Sequence, residues 1–301
     1  MSKYTIGVDV GGTNVKLGLV RSDGVIVRRS RISTKQFPGK QKLIQALVRA
    51  IAELIAAQGL SKKMIQGIGV GLPGLIDPVQ GMVFFLPNVP GWRKVPLKKI
   101  LEKELKIPTF MDNDVNVITL AEWRYGAGKG CDHLICMTLG TGVGGGLILD
   151  GRLYRGAGYV AGEIGHIPFE NKTLEEFVGN GPLLKQARKI FKKERIQLED
   201  IHCLAAAGNP RALKFWRTAG ERIGVTLAGV INVLNPKLII IGGGVSNNFR
   251  YLKDSIQETL KARAMEVQSK MVKIVRAKLG DDAGILGGQI LVNLMRRRNS
   301  R

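Results

Sequence analysis

A repeat limits what this chain can fold into more than any other feature. Residues 8–24 read VDVGGTNVKLGLVRSDG, and residues 137–151 read MTLGTGVGGGLILDG. Each runs strand, glycine-rich turn, strand and then a DG turn. Internal echoes of this kind reveal architecture. This one predicts a duplicated fold: two α/β halves, each opening with a glycine-turned hairpin, with both turns facing one cleft.

The remaining pattern fits two such halves. TIGVDV, NVKLGLVR and VIVRRSRI read as three successive strands. Apolar residues at 43, 44, 47, 48, 51, 54 and 55 mark an amphipathic helix closed by a glycine. IQGIGVGLPG is a buried strand leading into a loop, LPNVPGW a turn-rich loop, and PLKKILEKEL a helix with proline at its start. PTFMD is a strand, and 115–125 a helix. Beyond residue 181 helices dominate, notably 211–234, about 249–264 and 283–296, with strands at KLIIIGG and MVKIV. Alternating strands and helices place both sheets in the α/β class.

The glycine turns exclude two common nucleotide folds. GTGVGG at 140–145 matches G-x-G-x-x-G, but a dinucleotide fold needs a helix directly after it. Strand-like GLILDGRLYRG follows instead, and no P-loop sequence occurs. What remains is a pair of hairpins whose backbone N–H groups can hold phosphate oxygens, glycine letting the backbone approach closely. Asp9, just before the first turn, could hold Mg²⁺ at those phosphates, directly or through water. A third run, IIIGGGVSN, ends a strand before a helix, where open α/β sheets place nucleotides.

Two acidic stretches remain. MDNDVN ends a strand and begins a helix, and helix capping accounts for one of Asp112, Asn113 and Asp114. A carboxylate at a strand's C-terminal end can act as a base toward a substrate hydroxyl, with the neighbouring amide orienting it. GEIGHIPFENKTLEEF holds one of three histidines and four of the 24 acidic residues. Its residues permit a metal site, an acid–base pair or a solvated loop.

Composition narrows the class. At 301 residues two domains, or one large one, are expected. The first ten residues contain no apolar signal core, and LICMTLGTGVGGGLIL is broken by five glycines, so neither a secretory leader nor a membrane span is expected. Three cysteines without CxxC spacing point to a reducing cytoplasm. The net charge of +22 favours any polyanion. The basic residues are nevertheless spread along the chain, and no nucleic-acid-binding motif accompanies them.

Taken together, the chain resembles the ROK family of sugar kinases, which share the actin/hexokinase-like (ribonuclease H-like) two-lobed ATPase fold. DVGGTNVKLGLV, GVGLPGLIDPVQG, LPNVPGW, MDNDVN, LGTGVGGGLILDG, GAGYVAGEIGH, NPKLIIIGGGVS and LGDDAGILGG carry the resemblance, in the family's order from residue 9 to residue 288. It implies an N-terminal lobe of residues 1–113 with 283–301 and a C-terminal lobe of 114–282. Asp114 is then the base that takes the proton from a hexose hydroxyl. Asn113, Glu163 and His166 bind the sugar, with Gly74 and Asn88 lining the same pocket. Gly11, Gly12, Thr13, Asn14 and Lys16, with Gly140, Thr141 and Gly142, hold the phosphates of ATP. Asp9 serves Mg²⁺, and Gly242, Gly243 and Gly244 lie by the adenosine.

The chain departs from the family at one place. Most members follow the EIGH histidine with a cysteine-rich zinc loop and then another sugar-binding Glu. Here eight residues separate His166 from Glu175 and none is cysteine, so the further Glu maps to Glu175 and no zinc is expected. Glu170 or a backbone carbonyl is expected to orient His166 instead. The resemblance further implies a homo-oligomer, dimer or tetramer. The alternatives are another hexose or N-acylhexosamine as acceptor, polyphosphate as donor, or a sugar-sensing regulator. For the last, a first strand near Tyr4 leaves no room for a helix-turn-helix, so no DNA-binding domain is expected.

Overall fold

The computed structural model describes residues 3–86, 89 and 91–299, the side chains of Arg298 and Asn299 excepted. Its elements, in chain order, begin with β1 (Tyr4–Val10), β2 (Asn14–Arg21), β3 (Ile26–Ser33), α1 (Lys40–Ala56), β4 (Ile65–Leu72), β5 (Leu75–Asp77), β6 (Met82–Phe85) and β7 (Arg93–Val95). Next come α2 (Leu97–Leu105), β8 (Thr109–Asn113), α3 (Asp114–Arg124), β9 (Leu134–Leu139), β10 (Val143–Leu149), β11 (Arg152–Tyr154), β12 (Pro168–Phe169) and β13 (Lys172–Thr173). The chain ends with α4 (Glu175–Val178), α5 (Asn180–Phe191), α6 (Leu198–Ala206), α7 (Pro210–Leu234), β14 (Leu238–Gly242), α8 (Phe249–Arg263), α9 (Glu266–Met271), β15 (Lys273–Arg276) and α10 (Ala283–Asn299).

These form two compact units. One comprises Met1–Gly126, Gly156–Val160 and Asp281–Arg301, and the other Ala127–Arg155 and Ala161–Gly280. The main sheet of the first runs β3-β2-β1-β4-β8, and that of the second β11-β10-β9-β14-β15. In each, three antiparallel strands are followed by two parallel to the third. The repeat in the sequence is therefore a repeat of topology. This duplicated sheet is the core of the actin/hexokinase-like (ribonuclease H-like) α/β fold. The DG pairs turn the second strand into the third, with Asp150 and Gly151 both at positive φ, as a two-residue hairpin turn requires.

In the first unit Leu43, Leu47, Ile51 and Leu54 of α1 recur at helical spacing and pack with Ile6, Val8, Leu17 and Leu19 of the sheet. C-terminal helix α10 also lies on this sheet, packing on β1 and β4 and against α3. It approaches so closely that a Cβ on Gly69 of β4 would fall 2.0 Å from the Gly288 carbonyl oxygen. In the second unit Ile135, Met137, Ile239 and Ile241 share a core with Trp216, Ile223 and Leu227 of α7 and with Leu252 and Ile256 of α8.

Three features differ from the sequence reading. The first unit continues past residue 113 through α3 to Gly126, because α3 packs against α10. A small sheet ordered β5-β6-β7 flanks the LPNVPGW stretch. Its strands are only three or four residues long and expose Leu75, Phe84 and Phe85, which hides the usual alternation. Strands β12 and β13 and helix α9 are likewise too short to read from pattern. Among the described residues no helix is long and apolar enough to cross a membrane.

Candidate active site

Strands β1, β4 and β8 are parallel, so their C-terminal ends share one edge of the first unit's sheet. Register aligns Asp9 with Gly71, Gly71 with Asp112, and Leu72 with Asn113. Asp9, Gly74 (φ 93°) and the Asn113–Asp114 pair therefore all belong to that edge. The acidic triplet divides its work. Asp112 is buried, and its Oδ1 accepts hydrogen bonds from Asn113 N–H and Asn116 Nδ2, both at 2.9 Å. Asn113 is the cap of α3, its Oδ1 accepting from Val115 N–H at 2.9 Å and Asn116 N–H at 3.4 Å. The Nδ2 of Asn113 has no partner among the described residues. Asp114, half-buried, opens α3 and accepts from Val115 N–H at 2.9 Å.

The first glycine turn exposes donors because its acceptors are tied back. Gly11 N–H donates to Asn14 O at 2.9 Å. Thr34 then takes two more carbonyls, its Oγ1 donating to Gly12 O and its N–H to Thr13 O, each at 2.9 Å. The N–H groups of Gly12 and Thr13 are left without partners among the described residues, a donor pair suited to an anion. Asp9 stands at the root of this turn, with Gly284 of α10 packed against its carboxylate. Burial pushes the Asp9 carboxyl above its ordinary range, Lys16 opposes this, and Asp281 adds to it. Lys16 itself is paired with Asp281, Nζ to Oδ1 at 2.8 Å. A half-buried carboxylate beside a turn with two unpartnered N–H donors fits Mg²⁺, which takes one or two carboxylates and completes its shell with other oxygens and water. A cation there also offsets the desolvation of Asp9.

The second unit repeats the device with other residues. Gly140 N–H donates to Gly142 O at 2.9 Å, and Gly140 O accepts from Asn180 N–H at 2.8 Å. Val143 N–H donates to Glu175 Oε2 at 2.8 Å. The N–H groups of Thr141 and Gly142 remain, again two adjacent donors without partners among the described residues. Register pairs Gly242 with Thr138. Gly243 meets the Leu139 backbone so closely that a Cβ would fall 2.3 Å from its oxygen. The GGG and GTG turns are therefore neighbours at the ends of β14 and β9.

The glycines after the second turn make a packing seam. A Cβ on Gly162 would lie 2.2 Å from Gly145 O, and one on Gly165 2.1 Å from Val143 O. This seam, with buried Ile164, seats the single turn Ile164–His166 on β10. Glu163 and His166 are left with side chains 56% and 62% exposed, Oε2 and Nε2 3.8 Å apart, too far for a direct hydrogen bond. Neither Glu170 nor a backbone carbonyl holds the His166 ring among the described residues, contrary to expectation.

The segment is braced further along. Where a zinc loop would sit, β12 and β13 form a minimal hairpin with Glu170 at φ 53° in its turn. Phe169 meets Phe177 edge-on at 5.2 Å, and the Arg222 guanidinium lies 4.7 Å from the centre of the Phe177 ring. Arg222 Nη1 donates to Gln186 Oε1 at 2.7 Å, and Gln186 Nε2 donates to Phe177 O at 2.8 Å. No hydrogen bond or ion pair joins Glu175 to Glu163 or His166 among the described residues; its Oε2 accepts from Val143 N–H instead. Asn88 lies outside the described residues. Thr34, Asn180 and Asp281 escaped the sequence reading, because each acts on a segment distant in the chain.

The ROK family model matches residues 5–294, and the chain belongs to that family. A glucokinase of Halalkalibacterium halodurans is 32% identical, over 96% of this chain and 95% of its own length. A xylose repressor of Caldicellulosiruptor bescii is 30% identical, over 94% of this chain and 76% of the repressor. The structure of a ROK family glucokinase from Streptomyces griseus, in complex with glucose and AMPPNP, matches with a TM-score of 0.78 at 28% identity, covering 98% of this chain and 99% of that one.

Proposed function

We propose that the chain is an ATP-dependent hexose kinase that uses Mg²⁺, has no structural zinc, and phosphorylates glucose on its 6-hydroxyl. The observation that carries the reading is the pair of glycine turns, each with carbonyls tied back and two adjacent N–H donors left. Kinship with glucokinases supports the same choice.

In this reading Asp114 accepts the proton of the attacking hydroxyl while Asn113 donates from Nδ2 to orient it. Glu163 and His166 hold further hydroxyls, Glu175 contributes its second oxygen, and Gly74 and Asn88 line the pocket. The N–H groups of Gly12, Thr13, Thr141 and Gly142 hold phosphate oxygens, with Asn14, Lys16, Gly11 and Gly140 shaping or flanking them. Gly242, Gly243 and Gly244 lie by the adenosine. Mg²⁺, held by Asp9, supplies charge neutralisation at the transferring phosphates. The chain works in the cytoplasm as a dimer or tetramer.

Two observations sustain other readings. Likeness to a xylose repressor supports a sugar sensor, and a net charge of +22 supports polyphosphate as the donor. A panel of hexoses and N-acylhexosamines with coupled detection of ADP, together with the rate of glucose 6-phosphate formation from ATP and from polyphosphate at fixed glucose, decides among them. Fastest ADP release with glucose supports the proposal. Hexose binding without turnover supports the sensor, and faster turnover with polyphosphate supports that donor.

A further inference from the structure

Glu175 touches the second glycine turn rather than the Glu163–His166 pair. Its Oε2 takes the Val143 N–H at 2.8 Å and lies 2.7 Å from where a Gly142 Cβ would be. Its Oε1 has no partner among the described residues. The segment that follows Glu175 grips the same turn, since Asn180 N–H donates to Gly140 O and Gly179 packs beside Thr141 O. One carboxylate thus tethers the turn and borders the two N–H groups left for phosphate.

We propose that Glu175 is a positioning residue that couples acceptor binding to nucleotide binding. The inference rests on the kinase reading above. While Oε1 lacks a hydroxyl, the Glu175 charge repels phosphate at Thr141 and Gly142. A hexose hydroxyl that donates to Oε1 draws charge from the carboxylate and so lessens that repulsion. Acceptor therefore tightens nucleotide, and by linkage nucleotide tightens acceptor to the same degree. The device favours occupation of the phosphate site when a hydroxyl other than water is present to attack.

Calorimetric titration of the full chain with Mg-AMPPNP, with and without saturating glucose, tests this. In the wild type glucose tightens AMPPNP about tenfold. Glu175→Gln keeps an acceptor for Val143 N–H but carries no charge. It binds AMPPNP without glucose as tightly as the wild type does with it, and glucose adds nothing. Glu175→Ala loses the tether, binding AMPPNP more weakly than the wild type whether or not glucose is present. Coupling that survives in Glu175→Gln, or a wild type in which glucose leaves AMPPNP affinity unchanged, overturns the inference. A wild type that binds no AMPPNP at all overturns the kinase reading and this inference together.

Discussion

Gly69→Ala tests how the first unit is held together. The added methyl would lie 2.0 Å from Gly288 O, 2.5 Å from Gly288 C and 2.7 Å from Gly288 Cα, all backbone atoms of α10. A carbon–oxygen contact needs roughly 3.3 Å, so the strand and helix must separate by about 1.3 Å. No side-chain rotation relieves this, since neither partner has one. Overpacking of this kind costs about 1–3 kcal/mol, and backbone rigidity puts this site at the upper end. For a unit of this size that lowers the melting temperature by roughly 5–10 °C. Gly229→Ala is the control: it lies in α7 at an exposed position where a Cβ meets nothing within 4 Å. Alanine there raises stability by about 0.5–1 kcal/mol through helix propensity. Scanning calorimetry and urea unfolding read both variants. A Gly69→Ala variant as stable as the wild type refutes the close glycine contact between β4 and α10.

Two further outcomes come from the site. Burial raises the folded-state pKa of Asp9 above its unfolded value, so its contribution to stability is full below the ordinary carboxylate range and is lost as pH rises through the raised value. Asp9→Asn removes that loss. The metal-free variant melts above the wild type at neutral pH, the gap closes in acid, and Mg-AMPPNP affinity falls; a lower melting point at neutral pH contradicts the burial argument. Phe177→Leu removes the edge contact with Phe169 and the face for Arg222, together worth roughly 1–3 kcal/mol. The hexose KM rises while the ATP KM holds, and an unchanged hexose KM shows that the aromatic brace does not position Glu163 and His166.

Much of the fold was legible because period and turn chemistry are local. The 43-to-55 apolar stripe gave α1, and the DG pairs marked where each second strand turns into a third. The acidic triplet was half legible: capping was expected to absorb one residue, and it absorbs Asn113. That Asp112 turns inward to hold Asn116 depends on register with β4, which pattern does not reveal. The glycines were the harder case. Gly140 and Gly142 shape a turn, whereas Gly145, Gly162 and Gly165 make a seam, and Gly69 and Gly288 a contact across most of the chain. A glycine's purpose depends on what approaches it, and that partner is remote in sequence. The hold of Glu175 on the second turn is hidden for the same reason, because its bond to Val143 spans thirty-two positions.

In the proposed reaction Asp114 removes a proton from a bound hexose during transfer from ATP. Single-turnover phosphorylation of glucose by Asp114→Asn, beside an equilibrium measurement of glucose binding to the same variant, tests it most directly. Loss of a general base predicts a rate lower by about 10²–10⁴-fold with binding retained and the melting temperature unchanged. A variant that transfers phosphate at the wild-type rate removes Asp114 as the base.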